Sequence, residues 1–392
     1  MNSHISKLRN FFIDKCKEID KKIIRRKRSL DTRHLLAYLF QIASDKLNSG
    51  TETKTELECE NITSVSKQAI EKKLDLLDSK LLNDMLISLH EHINESSIFT
   101  KAHIYAVDGT KISLNKKVPG FHITKNGTYK KALINTLYSV NNKVPIAFDL
   151  SDSLNEIGSF IKTLLQYVKK GDIVIFDRGY YSKELIKLLN DKGCFFICRM
   201  RKSSLLVKDI PANEESSDIT KNLDDYGKIR IIKYTINKKS FYLSTNILSN
   251  VLNIDFFKEM YHNRWYIEEF YKTIKHDLSL NGIAYKKINR IEQNINIIFI
   301  LALLTRYLEA ISIKYIKKLN ENYAINHKNA LQTTGKRIIY QLLFKKSNNK
   351  IIKVLGVINK TTCYVKANRK YKRIRITPPP KWYSIFIYLK NT

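Results

Sequence analysis

I-Y-A-V-D at residues 104–108 and D-I-V-I-F-D at residues 172–177 are the stretches that decide the fold. Each is a short run of β-branched and aromatic residues closing on a carboxylate, the composition of a strand buried inside a sheet. Asp108 and Asp177 therefore stand at the carboxyl ends of strands, where open α/β sheets usually build their sites. An aspartate there is also a common turn former or helix cap, so neither residue identifies a site by itself.

The neighbouring sequence supplies the rest of the sheet. A-L-I-N-T-L-Y-S-V (132–140) and V-P-I-A-F-D-L (144–150) are further strand runs, with Asn141-Asn142 as the hairpin turn between them. A helical stretch near Ile157–Val168, a helix from about Ser182 to Leu189 and the strand C-F-F-I-C (194–198) follow. The order β-β-β-α-β-α-β is that of an α/β protein with a ribonuclease H-like mixed sheet.

Residues 201–250 interrupt this core with charged loop sequence and two strand runs, I-R-I-I-K-Y-T-I and S-F-Y-L-S-T-N, joined by Asn237-Lys238-Lys239. They are expected to form a β-rich insertion within a catalytic domain of residues 99–320. A helix from about Asp255 to His276 and a longer one from about Ile291 to Leu319 complete that domain. Residues 1–98 are expected to be all-helical, with apolar positions at Leu35, Leu36, Leu39 and Phe40 and again at Ile70, Leu74, Leu77 and Leu81. That region carries the basic run K-K-I-I-R-R-K-R (21–28) and the segment S-V-S-K-Q-A-I-E-K-K-L (64–74), in which Ser66 can cap a short helix exposing Lys67 and Gln68. A helix-turn-helix-like DNA reader and a solvated helical face both fit this pattern. Residues 321–392 form a basic C-terminal region ending in R-K-Y-K-R-I-R-I-T-P-P-P-K-W.

Lys and Arg number 69 against 37 Asp and Glu, a net charge of +32 that attracts a polyanion. Nucleic acid is the natural partner class, although a Lys-, Ile- and Asn-heavy composition also follows from an AT-rich genome. The five cysteines are scattered and odd in number, which argues for a reducing cytoplasm. Cys194 and Cys198 read as buried thiols of one strand face. The longest apolar run, Ile297–Leu304, is much shorter than a membrane span, so no membrane association is expected.

The third carboxylate lies on the helix Y-H-N-R-W-Y-I-E-E-F-Y-K-T-I-K (261–275). At about 100° per residue, Tyr261, Arg264, Glu268 and Lys275 fall near 0°, −60°, −20° and −40°, one narrow face. Tyr266, Ile267, Phe270 and Ile274 lie opposite, so the helix is expected to pack on the sheet through them and to offer the polar face to a ligand. An Arg and a Lys flanking a metal-binding Glu suit phosphates held against metal ions. An amphipathic helix with intrahelical ion pairs shows the same pattern.

The spacing Y-x2-R-x3-E-x6-K, met by Tyr261, Arg264, Glu268 and Lys275, resembles the signature of the insertion-sequence transposases of the IS-four type. V-D-G-T at Asp108 and F-D-R-G-Y at Asp177 are similar to the family's first two motifs. The resemblance implies catalytic, metal-binding Asp108, Asp177 and Glu268, holding two divalent ions, usually magnesium with manganese able to substitute. It also implies that Tyr261, Arg264 and Lys275 grip the non-transferred DNA strand. A homodimer on the paired terminal inverted repeats of the element, target DNA as second substrate and cut-and-paste movement in the bacterial cytoplasm are the further implications. Some relatives stack a flipped base on a tryptophan of the insertion. The only tryptophans here are Trp265 and Trp382, which leaves Tyr226, Tyr234, Phe241 or Tyr242 for that role.

Other polar residues carry weaker expectations. Glu269 lies about 100° round the helix from Glu268 and reads as a surface residue. Asp149 and Asp152 read as turn residues, and His262 and His276 as residues able to approach DNA, with no histidine pair at zinc spacing. The reading as a whole is a metal-dependent DNA transposase. A ribonuclease H-like nuclease without strand transfer and a non-catalytic DNA-binding descendant are the alternatives.

Overall fold

The computed structural model describes residues 1–365 apart from 24–29, 45–49, 61–64, 101–102, 125–126, 153–154, 209, 212–213, 224–226, 279 and 281–284. Most of the basic run at 21–28, Tyr226, Trp382 and the basic C-terminal stretch lie outside the described residues.

The strand runs form as their composition predicts. β1 (Ile104–Leu114), β2 (Lys130–Ser139) and β3 (Val144–Ser151) are antiparallel neighbours, and β4 (Ile173–Phe176) and β5 (Phe195–Arg199) extend the sheet in parallel on the other side of β1. β6 (Ser216–Asn222), β7 (Lys228–Ile236) and β8 (Lys239–Thr245) are added antiparallel, β8 pairing with β5, to give the order β3-β2-β1-β4-β5-β8-β7-β6. The strands of 201–250 thus lengthen the central sheet to eight strands. The β7–β8 turn is a two-residue hairpin with Asn237 and Lys238 at φ 50° and 61°, the left-handed pair that matches strand twist.

Several expectations need correction. β1 does not end at Asp108 but runs on to Leu114, because β2 continues to pair with it after β4 has stopped. Asp149 is not in a turn: it lies inside β3 opposite Asn135 and accepts from Ser159 Oγ (2.7 Å) and Thr163 Oγ1 (3.1 Å). The turn between β2 and β3 lies where expected, but its positive φ falls on Lys143 (55°) rather than on either asparagine. β6 forms in a stretch whose sequence carries only loop signals.

The N-terminal region is helical: α1 (Asn2–Ile23), α2 (Thr32–Ser44), α3 (Gly50–Cys59), α4 (Lys67–Leu74) and α5 (Ser79–Asn94). Ser66 caps α4 by accepting from the Ala69 amide. The run Ile70 to Leu81 is split between α4 and α5, because Asp78 caps a new helix. After β3 come the single turn α6 (Glu156–Ser159), which continues into a π-helical turn at Phe160–Leu164, and later α7 (Lys183–Asp191), capped by Ser182. The expected helix 255–276 is two, α8 (Ile254–Asn263) and α9 (Trp265–His276), which meet at Arg264.

α10 (Ile288–Tyr315) is the scaffold of the molecule. It is the one described helix long and apolar enough to cross a bilayer, but 89% of that window is buried inside the protein, as befits a helix apolar on every side. Phe299 packs on Phe148 of β3 and Phe270 of α9, with ring centroids 4.9 and 5.3 Å away. Its first turns grip the α4–α5 junction: Gln293 donates to the Leu74 and Leu77 carbonyls, Asn289 accepts from the Ser79 amide, and Arg290 pairs with Glu71 at 2.8 Å. Those carbonyls are among the unpaired groups that any helix end must satisfy. On its far end α11 (His327–Thr333), α12 (Ile339–Phe344) and α13 (Asn349–Lys360) complete the helical layer, with a two-stranded ribbon of β9 (Tyr323–Ile325) and β10 (Thr362–Tyr364).

Arg230 of β7 ties the added strands to α8. Its guanidinium pairs with Asp218, donates to the Ser249 and Leu252 carbonyls and lies 5.0 Å from the Phe257 ring centroid, at 6% exposure. Arg230→Ala is expected to destabilise the protein by about 2–4 kcal/mol, because it strands a carboxylate and two carbonyls. Arg230→Lys should recover part of the loss. Chemical denaturation checks both, and an unchanged midpoint in Arg230→Ala would remove this residue from the account.

Candidate active site

The parallel register sets Val107 opposite Phe176, so Asp108 and Asp177 follow side by side on adjacent strands. β4 stops at Phe176, and the chain turns through Asp177, whose carbonyl accepts from the Tyr180 amide at 3.0 Å. The two aspartates read from the sequence thus occupy neighbouring backbone positions.

α8 and α9 lay the third motif across this end of the sheet. Tyr261 donates to Asp177 Oδ1 at 2.9 Å. Arg264 donates to Glu268 Oε1 at 2.6 Å, and its other terminal nitrogen lies 3.9 Å from Asp108 Oδ2. One guanidinium therefore spans two of the three carboxylates. Lys275 donates to Thr110 Oγ1 (2.5 Å) and to the Lys111 carbonyl (3.0 Å), just beyond Asp108 on β1. Tyr261, Arg264 and Lys275 each meet the chain that carries the aspartates, and Glu268 is joined to Asp108 through Arg264.

The helix differs from expectation in how open that face is. Ile267, Phe270 and Ile274 are buried as expected, and Tyr266 is half-buried beneath the Lys143 ammonium. Tyr261 is buried as well, and the Arg264 side chain is only 11% exposed. Glu269 is exposed and pairs with Lys272, and His262 and His276 are exposed. Asp152 follows β3 and pairs with His122 at 3.1 Å.

Four residues of this end were not singled out from sequence. Tyr271 of α9 donates to the Asp108 carbonyl at 2.6 Å. Asn135 of β2, fully buried and opposite Gly109, donates to the Glu156 carbonyl (2.9 Å) and accepts from Tyr180 (2.9 Å). Glu156 begins α6 and lies against Gly109, where an added methyl group would meet its Oε1 at 2.6 Å. Only Tyr180 left a sequence signal, as the last residue of F-D-R-G-Y.

The electrostatics are those of a crowded anionic site. Burial, reinforced by the charges of Glu156 and Glu268, pushes Asp108 up to about 7 against the opposing Arg264. Burial also acts to raise Asp177, but the Arg178 amide, Tyr261 and the Arg264 and Arg199 guanidinium groups hold it below its ordinary value. Burial lowers Lys275, with Asp108 opposing. Among the described residues no group of three His, Cys, Asp or Glu side chains stands close enough to hold a metal ion as arranged.

Beside Asp177 lies a cavity of about 390 Å³, lined by Arg178, Arg199, Arg201, Lys202, Phe241 and Tyr242 among others. Arg199 stands 5.1 Å from the Phe241 ring centroid, and Phe241 stacks on Tyr234 at 5.4 Å. Two of the aromatic residues proposed for base stacking, Phe241 and Tyr242, therefore line a basic cleft.

A family model described as a transposase DDE domain matches residues 100–304. No match is found among curated proteins. Among solved structures, the piggyBac transposase in its synaptic complex with hairpin DNA is similar with a TM-score of 0.49 at 12% identity, over 88% of this chain and 82% of that one. The family match spans over half of the chain and takes in Asp108, Asp177 and Glu268, so the chain belongs to the transposase DDE domain family and is a DNA transposase, an enzyme of DNA cleavage and strand transfer.

Proposed function

We propose that this transposase cuts and rejoins the terminal inverted repeats of its own insertion element, with Asp108, Asp177 and Glu268 holding two divalent ions, magnesium by preference and manganese in its place. DDE transposases generally use divalent metals. The donor set is one of hard carboxylate oxygens, the kind that suits magnesium and manganese. A carboxylate driven up to about 7 by burial among like charges is one that a cation would relieve. The observation that carries the reading is that Tyr261 and Arg264 of this face reach Asp177 and Asp108, with Glu268 paired to the same Arg264 and Lys275 held beside Asp108 at Thr110.

When bound, such ions activate the attacking oxygen, first of water and then of a DNA 3′-hydroxyl, and stabilise the leaving one. The chain's own residues prepare that chemistry. Arg264 shields Asp108 and Glu268 from each other, and in turning its guanidinium to a DNA phosphate it would free both carboxylates. Its Nε is buried without a hydrogen-bond partner, so a phosphate oxygen would also satisfy that donor. Tyr261 and Lys275 are the neighbouring donors for the same strand, and Tyr271 fixes the backbone of Asp108. The basic cleft beside Asp177 suits a displaced nucleotide, its phosphate among the arginines and its base against Phe241.

The Y-x2-R-x3-E-x6-K spacing supports assignment to the IS-four type, and with it a homodimer on two paired ends. Residues 1–98 would contact the ends through α4, whose Lys67 is half-buried and Gln68 exposed, residues 99–320 would cut and join, and residues 321–392 would add basic contacts to DNA or to the second subunit.

Glu268→Gln should lower cleavage of labelled end DNA by about 1,000-fold or more, since it removes an anionic ligand of the proposed two-ion site. Binding in a mobility-shift assay should change by less than about threefold, because no phosphate donor is lost. Full cleavage by this variant would refute the role given to Glu268. Lys275→Ala should weaken end binding and reduce the slope of log K against log salt by about 1, the signature of one lost phosphate contact. An unchanged slope would take Lys275 off the DNA. With intact protein, joining of cut ends into a target plasmid is the expected product, and free ends alone would mark a nuclease.

A further inference from the structure

We propose that Glu156 is a fourth carboxylate of the divalent-ion site that Asp108 anchors. The inference rests on the reading of Asp108, Asp177 and Glu268 as that site.

The placement is built in by three neighbouring strands. Asn155 caps α6 by accepting from the Gly158 amide at 3.0 Å, which fixes the turn that begins with Glu156. Asn135 of β2 then holds the Glu156 carbonyl, and Ser159, one turn on, bonds both Asn135 (3.2 Å) and Asp149 of β3 (2.7 Å). The backbone of α6 is thereby locked onto the sheet directly above Gly109. The side chain of Glu156 lies flat on that glycine: a methyl group there would stand 2.6, 2.7 and 2.9 Å from its Oε1, Cδ and Cγ. No other residue type at position 109 leaves this room, so V-D-G-T brings a second acid beside its aspartate.

That acid has no base of its own at hydrogen-bonding distance among the described contacts. Its partner is the buried Tyr180 hydroxyl, and Lys111 acts on it from an exposed position. Its charge works against both Asp108 and, reciprocally, Asp177, which burial already penalises. A helical turn pinned by these bonds so that its first carboxylate lies on Gly109, next to Asp108 in the chain, is explained by a cation shared between the two acids. A purely structural Glu156 would need only its contact with the Tyr180 hydroxyl, whose one proton also serves Asn135, and glutamine can make that contact as well.

The test is a titration of the full chain with Mn²⁺, without DNA, read by the electron paramagnetic resonance signal of the free ion, alongside thermal melts in EDTA. Wild type is compared with Glu156→Gln, Glu156→Asp and Asp108→Asn. Glu156→Gln should weaken Mn²⁺ binding about tenfold or more, the scale of losses at groups that support metal ligands. In EDTA it should melt no lower than wild type, because like charge has been removed. Glu156→Asp keeps the charge and should bind between the two, which preserves the test if the glutamine variant does not fold. Wild-type affinity in the folded Glu156 variants with loss in Asp108→Asn overturns the role of Glu156 and leaves the metal reading standing. Absence of Mn²⁺ binding by wild type overturns both.

Discussion

The parallel pairing of β1 with β4 is the constraint on which the site depends. Because Val107 is held opposite Phe176, the next residue of each strand is an aspartate, and the two cannot be separated without unzipping the centre of the sheet. A slip of one residue would turn one of them to the opposite face of the sheet. The apolar residues of I-Y-A-V and I-V-I-F, mostly buried, specify this register, and α9 against β1 and Phe160, whose ring centroid stands 5.2 Å from that of Phe176, supply part of their cover. The same sheet is extended through β5 into β8, β7 and β6, and Arg230 carries that extension to the start of α8. Tyr261 therefore reaches Asp177 along a continuous path of paired strands and packed helices.

Charge is the other half of the account. The chain carries +32 overall, yet Asp108, Asp177 and Glu268 all act on one arginine, Arg264, and Glu156 adds its charge to that of Asp108. A positive field draws in DNA, and in the proposed mechanism cations would offset the anionic centre so that phosphates can approach. Arg264 spans both demands, since it can pair with acid or with phosphate. It stands at the junction of α8 and α9 with helical backbone angles (φ −53°, ψ −29°), so the face from Tyr261 to Lys275 continues across the junction.

Much of this was legible in the residues themselves. Buried strands announce themselves as unbroken β-branched runs, and so β1 to β5, β7 and β8 could be read directly, with the aspartates that follow Val107 and Phe176, although β1 runs on past Asp108. The face of Tyr261, Arg264, Glu268 and Lys275 was legible from helical spacing, although the break at Arg264 was not, because periodicity continues across it. β6 was illegible for the opposite reason: S-S-D-I-T-K-N lies at the sheet edge with alternating exposed and half-buried residues and no apolar run. Asn135, Glu156, Gly109 and Tyr271 owe their roles to cross-strand register and helix docking, which one-dimensional pattern does not contain. Glu156 in particular looks like any acid in the first turn of a helix until Gly109 is seen beneath it.

The central claim is that the carboxylates at this end of the sheet form a divalent-ion site once DNA engages Arg264. The most direct measurement is anomalous diffraction at the manganese edge from crystals of the protein with end DNA and Mn²⁺. The account predicts peaks bounded by Asp108, Asp177 and Glu268, with the Arg264 guanidinium moved from Glu268 onto a phosphate. Manganese elsewhere on the protein, with the Arg264–Glu268 pair intact beside bound DNA, would contradict it.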